Sequence, residues 1–208
     1  MTAINRFEAT MTRCHALVEL ATHGNGNEDC LRMAIVLGVS ALEWYVKDRF
    51  LESLARHCRL VGGRFNDTLS ERLRRAGIAA DFWTQAIIEG QARPLRSVRN
   101  KMAKHLRSFS IQKAASIDEL FACYGIHGIT THAAQRARLE TVKASIKRMI
   151  RRRHDIAHAS DYLIQGRLQT VDRDDVELRL DRLERFVRAM EEILVSKFSP
   201  RNARRSCQ

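Results

Sequence analysis

Proline and glycine are scarce, two and ten in 208 residues, which leaves few turns and argues against a fold of many short strands. Aromatic side chains make up only 6% of the chain against 45% hydrophobic residues overall, a balance that suits packed aliphatic helices. No apolar run approaches the roughly 20 residues that a membrane-spanning helix needs. The longest, MAIVLGVSAL (33–42), leads directly into Glu43. The N-terminal MTAINRFEATMTR lacks the basic-then-apolar layout of a secretory signal, so a cytoplasmic protein without membrane contact is expected. The five cysteines, Cys14, Cys30, Cys58, Cys123 and Cys207, show no paired spacing. That argues against a disulfide framework and a cysteine zinc site, and leaves free thiols.

Acid is the other shortage. Thirty-six Lys and Arg stand against 24 Asp and Glu, a net charge of +12, and polyanions are the usual partners of such a balance. The excess is uneven. Six bases (Arg93, Arg96, Arg99, Lys101, Lys104, Arg107) lie between Gln91 and Arg107 without an acid, and eight lie between Arg136 and Arg153 against Glu140 alone. Either these segments bind an anion or they are solvated helix faces.

Helical periodicity organises what remains. Ile4, Phe7, Met11, Cys14, Val18 and Ala21 repeat at three and four, an amphipathic first helix ended by HGNGN. A second runs from about Asn27 to His57, stopped by VGG; its stretch Met33 to Val46 is apolar on nearly every side, the mark of a central buried helix. Within it Trp44 and Tyr45 are expected in the core rather than as base-stacking platforms. In the middle, Asn66 or Asp67 caps a short helix ending near Gly77, Asp81 caps another ending near Gly90, and Pro94 suits the first turn of a basic helix. SIDE (116–119) reads as a capping box that opens a helix closed by Gly125. Thr130 or Thr131 is expected to start a long helix that runs on to RRRHDIAHASD (151–161). A polar turn around Gly166 precedes a last long helix capped by Asp172, with acids in its first turn. The expected architecture is all-α: one helical-bundle domain over residues 1–198 with additional short helices in the middle, then a disordered basic tail over 199–208.

On a helix over Leu139 to Ala157, the residues Leu139, Val142, Ile146, Met149 and Ile156 form one apolar stripe, and Arg153 takes the place between Met149 and Ile156. Arg153 either snorkels out at the end of the core or points into an interface with an anionic occupant. Lys147, Arg151, His154 and His158 form a second, basic stripe. His154 and His158 are four apart, as in a two-histidine metal pair, but no glutamate follows the first as in HExxH and no third ligand is signalled; no metal or cofactor is expected. Arg153 and His158 are five apart, so their Cα–Cβ directions diverge by about 140° on a straight helix. One chain would struggle to aim both at one phosphate. Two copies about a twofold axis could pool them, so a composite site at a homodimer interface is expected.

RRHDIAH, its polar turn, the VDRDDV helix start and the long last helix resemble the RiboL-PSP branch of the HEPN superfamily of all-α domains, and so does SALEWYVKDRFLESL in the second helix. The resemblance spans Met33 to Phe198. The superfamily signature is an arginine, a polar residue, three more residues and a histidine, here Arg153, His154, Asp155-Ile156-Ala157 and His158. RNKMAKH (99–105) gives a chance match that is one residue too long. The resemblance implies a homodimeric, metal-independent endoribonuclease acting as a toxin or anti-phage effector, with an antitoxin or defence-system partner. Some members have lost activity and serve as scaffolds, so a silent RNA- or protein-binding module is the alternative. A basic DNA-binding helix ranks last, because no helix-turn-helix signature is present.

Carried over by residue, the resemblance implies that Arg153 holds the scissile phosphate, His158 is the acid/base group and His154 orients them. Ser160 stands where a branch that pairs with nucleotidyltransferase antitoxins has tyrosine, and tyrosine comes only at Tyr162. RNA supplies its own nucleophile, the 2′-OH, and histidine and arginine suit the proton and phosphate steps. Lys147, Arg148, Arg151 and Arg152 are expected to bind flanking phosphates. Glu43 either partners Arg153 or faces solvent or a lysine; Asp155 either orients His158 or is a solvated charge.

Overall fold

A computed structural model describes residues 1–21, 28–61, 64–79, 82, 93–111, 113–159, 161–162 and 166–198. The expected stops at HGNGN and VGG, the helix from Asp81 to Gly90, Ser160 and the tail 199–208 lie outside the described residues. Those described are all-α, with eight helices: α1 Ala3–Leu20, α2 Glu28–Leu60, α3 Asp67–Arg75, α4 Pro94–Arg107, α5 Ala114–Ala122, α6 Ile129–Arg136, α7 Val142–Ala159 and α8 Arg173–Lys197. No strand forms among them; Tyr162 and Leu168 make one isolated antiparallel bridge. No helix is long and apolar enough to cross a membrane.

The long helix α2 is the hub, against which α1, α4, α5, α7 and α8 all pack. Its inner residues, Ala34, Leu42, Val46, Phe50 and Leu54 among them, are buried. Gly38 lies where α2 meets α7 and α8, since a Cβ there would stand 2.9 Å from Leu180 Cδ2 and 3.6 Å from Met149 Cε. One hydrogen-bonded polar network runs inside this core. Glu191 Oε2 accepts from Tyr45 Oη at 2.9 Å and from Arg49 Nε at 2.7 Å, and burial beside that carboxylate pushes the Tyr45 phenol well above its usual pKa.

The caps at Asn66 and Asp172 form as expected, each side chain accepting from the backbone N–H three residues on, at Leu69 and Asp175. Three expectations fail. SIDE is no capping box: α5 already starts at Ala114 with Lys113 at its N-cap, and Ser116 is buried inside the helix. Asp118 instead accepts from Thr130 N at 2.8 Å and Thr130 Oγ1 at 2.7 Å, so the carboxylate serves the start of α6. Nor does one long helix run from Thr130 into the motif. The chain breaks after α6 at Arg138, a non-glycine residue at φ 53°, and turns back as Leu139 N donates to Ala134 O. Leu139 is buried in that turn, and the motif helix begins at Val142.

The third failure is Trp44, which is 57% exposed while Tyr45 is buried. Consecutive residues on a helix point about 100° apart, so a helix packed on most of its circumference can still leave one stripe outside. Met33, 50% exposed, lies on the same outward stripe. Apolar character all round was therefore no proof of burial all round.

Candidate functional site

The site is built on the last two turns of α7. Val142, Ile146 and Met149 bury the helix against the core, and Ile156 is half-buried at its end. Between them Arg153 is neither buried nor free. Its side chain is 29% exposed, its Nη2 lies 3.4 Å from Glu43 Oε2, and its Nε is shielded without a hydrogen-bond partner. Glu43 also accepts from Lys47 Nζ at 2.7 Å. Glu43 therefore meets both the lysine and Arg153. At 3.4 Å the contact with Arg153 is long for a charge-assisted hydrogen bond, which runs near 2.7–2.9 Å.

The basic stripe of Lys147, Arg151, His154 and His158 is exposed along its length. The imidazoles of His154 and His158 approach to 4.4 Å between centroids, tilted by 47°. Two histidines four apart thus form one ring pair at the end of the helix. Among the described residues no group of three or more His, Cys, Asp or Glu comes together in a way that could hold a metal ion.

One member of the expected set has other partners. Arg152 is not placed to bind a flanking phosphate: its Nη2 donates to Asp161 Oδ2 at 2.8 Å and to the carbonyls of Gln169 and Thr170 at 3.1 and 3.3 Å. Its Nη1 lies 2.5 Å from Asp161 Oδ1, an ion pair without hydrogen-bond alignment. Asp161 is itself buried, in the left-handed region at φ 63°, and accepts a second cation, Arg32 Nε, at 2.6 Å. Arg32 also reaches Asp29, Glu28 and the Gln169 carbonyl. This cluster ties the loop after α7 to the start of α2.

Burial works against both guanidiniums, but their balances differ. Arg32, facing three carboxylates, keeps its proton more tightly than an ordinary arginine. Arg152 shares Asp161 with the Arg32 charge and is held below its usual value, burial being the larger cause.

No hydrogen bond joins Asp155 to His158, and Asp155 lines a cleft of about 620 Å³ with Arg148, Arg151 and Arg152, bounded by the start of α8. Arg148 and Arg151 remain exposed at this cleft. The sequence had no signal for Asp161, a single acid whose partners lie nine and 129 positions away.

Arginine at a helix end, held by one carboxylate and followed by a solvent-facing histidine pair, can receive a phosphate and exchange protons beside it. Residues 13–196 match the family described as RiboL-PSP-HEPN. No curated protein and no solved structure matches the chain.

Proposed function

Because the chain belongs to the RiboL-PSP-HEPN family, we propose that it is an endoribonuclease that needs no metal and works as a homodimer, in a toxin or anti-phage role with an antitoxin or defence partner. The observation that carries the reading is the state of Arg153. It is a cation set into the core seam of α7, with one long contact to Glu43 and a shielded Nε. Such a group has capacity for an anion that its own chain does not fill.

In the proposed reaction the 2′-OH of RNA attacks the adjacent phosphorus. An imidazole of His158 takes the hydroxyl proton, the new O–P bond forms, and the bond to the 5′-oxygen breaks. The leaving oxygen receives a proton from a second imidazole, giving a 2′,3′-cyclic phosphate and a 5′-hydroxyl. Arg153 stabilises the charge that grows on the phosphoryl oxygens. His154, 4.4 Å from the His158 ring, orients it.

One protomer offers one His158, and its Arg153 diverges from it by about 140° around the helix. A twofold pairing supplies two of each and brings one protomer's arginine to its partner's histidine. The outward stripe of α2 fits such a pairing, since Met33 and Trp44 are exposed there and Trp44 adjoins Glu43. Arg148 and Arg151 hold flanking phosphates.

The test is incubation of end-labelled RNA with the protein and with His158→Ala, with and without chelator, followed by identification of the ends. Cyclic phosphate ends from the wild type alone, unchanged by chelator, are expected. Cleavage by the variant at the wild-type rate would sink the mechanism. Loss of cutting in chelator would point to the His154/His158 pair as a metal site, and binding without cleavage by either protein would leave a silent RNA-binding module.

A further inference from the structure

Among the described residues outside the proposed centre, α4 carries a long run of cations without carboxylate partners. Arg93 at its N-cap, then Arg96, Asn100, Lys104 and Arg107, recur at spacings of three and four and are exposed. They form one stripe about 20 Å long at 1.5 Å per residue. Arg99 and Lys101 flank it. Lys101 donates to the Gly77 carbonyl at 3.2 Å and lies over the Phe82 ring. None of these cations pairs with a carboxylate among the described residues.

The last helix shows what a merely solvated face looks like in this protein. On α8, Arg179, Arg185 and Arg188 each meet an acid four residues back, Asp175, Asp181 and Glu184. The stripe on α4 has no such partners among the described residues. Lys104 and Arg107 in its last turn suit the helix dipole, but Arg93 and Arg96 at its start oppose it. Local stability therefore accounts for one end of the stripe and not for the other.

At its C-terminal end the stripe meets a cleft of about 530 Å³ lined by Arg72, Arg75, His105 and Phe109, with Glu71 and Glu119. Glu71 is occupied by Arg74 and Arg75, each at 2.7 Å. The Arg72 guanidinium lies over the Phe109 ring, 5.1 Å from its centroid.

We propose that the exposed face of α4, continued by Arg72, is a second RNA-binding surface that tracks the phosphodiester backbone, separate from the Arg153–His158 centre. Two pairs of cations, Arg93 and Arg96 before Asn100 and Lys104 and Arg107 after it, with no acid among them, fit a polyanion of repeating charge. A lipid surface fits less well: Val98, Met102 and Leu106, the apolar face of the same helix, are buried in the core and cannot insert. The inference rests on the RNA-directed reading of the chain, and its test separates the two.

The parent for the test is the full chain carrying His158→Ala, so that RNA is bound and not cut. Binding of a labelled single-stranded RNA of mixed sequence is followed by anisotropy against salt. The same is done for Arg96→Gln/Lys104→Gln/Arg107→Gln and for a control triple, Arg13→Gln/Arg59→Gln/Arg138→Gln, which removes as much exposed charge from other surfaces. All substituted residues are exposed, and far-UV circular dichroism checks that each chain is folded.

The expected result is a salt slope lowered by about 2 in the α4 triple, for three lost phosphate contacts on a single strand, and a smaller change in the control. Equal slopes in the two triples would overturn the inference while leaving the RNA reading intact, as would an α4 triple that binds like the parent; the row would then serve an acidic protein or general charge. A parent that binds no RNA at all would remove the functional reading and the inference with it.

Discussion

Arg152 and Arg153 are neighbours on α7, yet Arg152 meets a buried carboxylate and two carbonyls while Arg153 meets one carboxylate at 3.4 Å. A turn of about 100° separates them, and that angle decides their roles. One faces the loop that Asp161 anchors; the other faces Glu43 on α2. Identical side chains become a structural clamp and an open cation because of what the rest of the chain brings to each side. Breaking either contact should therefore produce different losses.

The largest expected effect is on the clamp. Asp161→Ala removes the carboxylate that Arg32 and Arg152 share, and both guanidiniums are largely out of solvent. Arg32 keeps Glu28 and Asp29, but Arg152 loses the one carboxylate it pairs with among the described residues, and leaving a buried charge without its partner costs about 3–5 kcal/mol. Urea denaturation should show that loss. A change below about 1 kcal/mol would mean the cluster is solvated enough to dispense with Asp161.

Arg153→Ala should invert the pattern. Its ion pair is partly exposed, so stability should move by about 1 kcal/mol or less. RNA cleavage should fall by roughly 10²–10³, the usual cost of removing a group that stabilises transition-state charge. Single-turnover cleavage and denaturation measured on the same preparation would separate the two. A variant that cuts normally but is strongly destabilised would make Arg153 a second clamp.

This contrast also shows what the sequence could and could not convey. The seam of α7 was legible because Val142, Ile146, Met149 and Ile156 recur at helical spacing, and Arg153 stood out by interrupting it. The caps at Asn66 and Asp172 were legible because capping is a local hydrogen bond. The role of Arg152 was not, because it depends on Asp161 and on Arg32, which meet only once the chain has folded. The break at Arg138 had no glycine or proline to announce it. Ser116 and Glu119 matched a local pattern, but Asp118 between them found a tertiary partner in Thr130 and the helix started earlier. Trp44 was misplaced because an apolar run tells how much of a helix can be buried, not how much is.

A smaller effect is expected one residue earlier. Arg151 is exposed beside the cleft that Arg152 closes. Arg151→Gln should leave the denaturation midpoint unchanged and lower the salt slope of RNA binding by about 0.7, one phosphate contact on a single strand. An unchanged slope would confine RNA to the other faces of α7.

The smallest and most discriminating change is Glu43→Gln. Glu43 sits between Lys47 at 2.7 Å and Arg153 at 3.4 Å, so it shares its charge between two cations. A phosphate arriving at Arg153 must compete with that carboxylate, and the competition weakens binding. The same carboxylate also limits where the guanidinium can go, which favours the productive geometry. Glutamine keeps an oxygen to accept a hydrogen bond and loses the charge, so it relieves the competition while loosening the hold. The two effects then separate in kinetics: KM should fall by a few-fold and kcat should fall as well, with stability within about 1 kcal/mol of wild type. If Glu43 only neutralised Lys47, neither parameter would move. If its charge were needed to keep Arg153 in the site at all, kcat would fall as far as in Arg153→Ala, and the long contact would have to be counted as the stronger of the two.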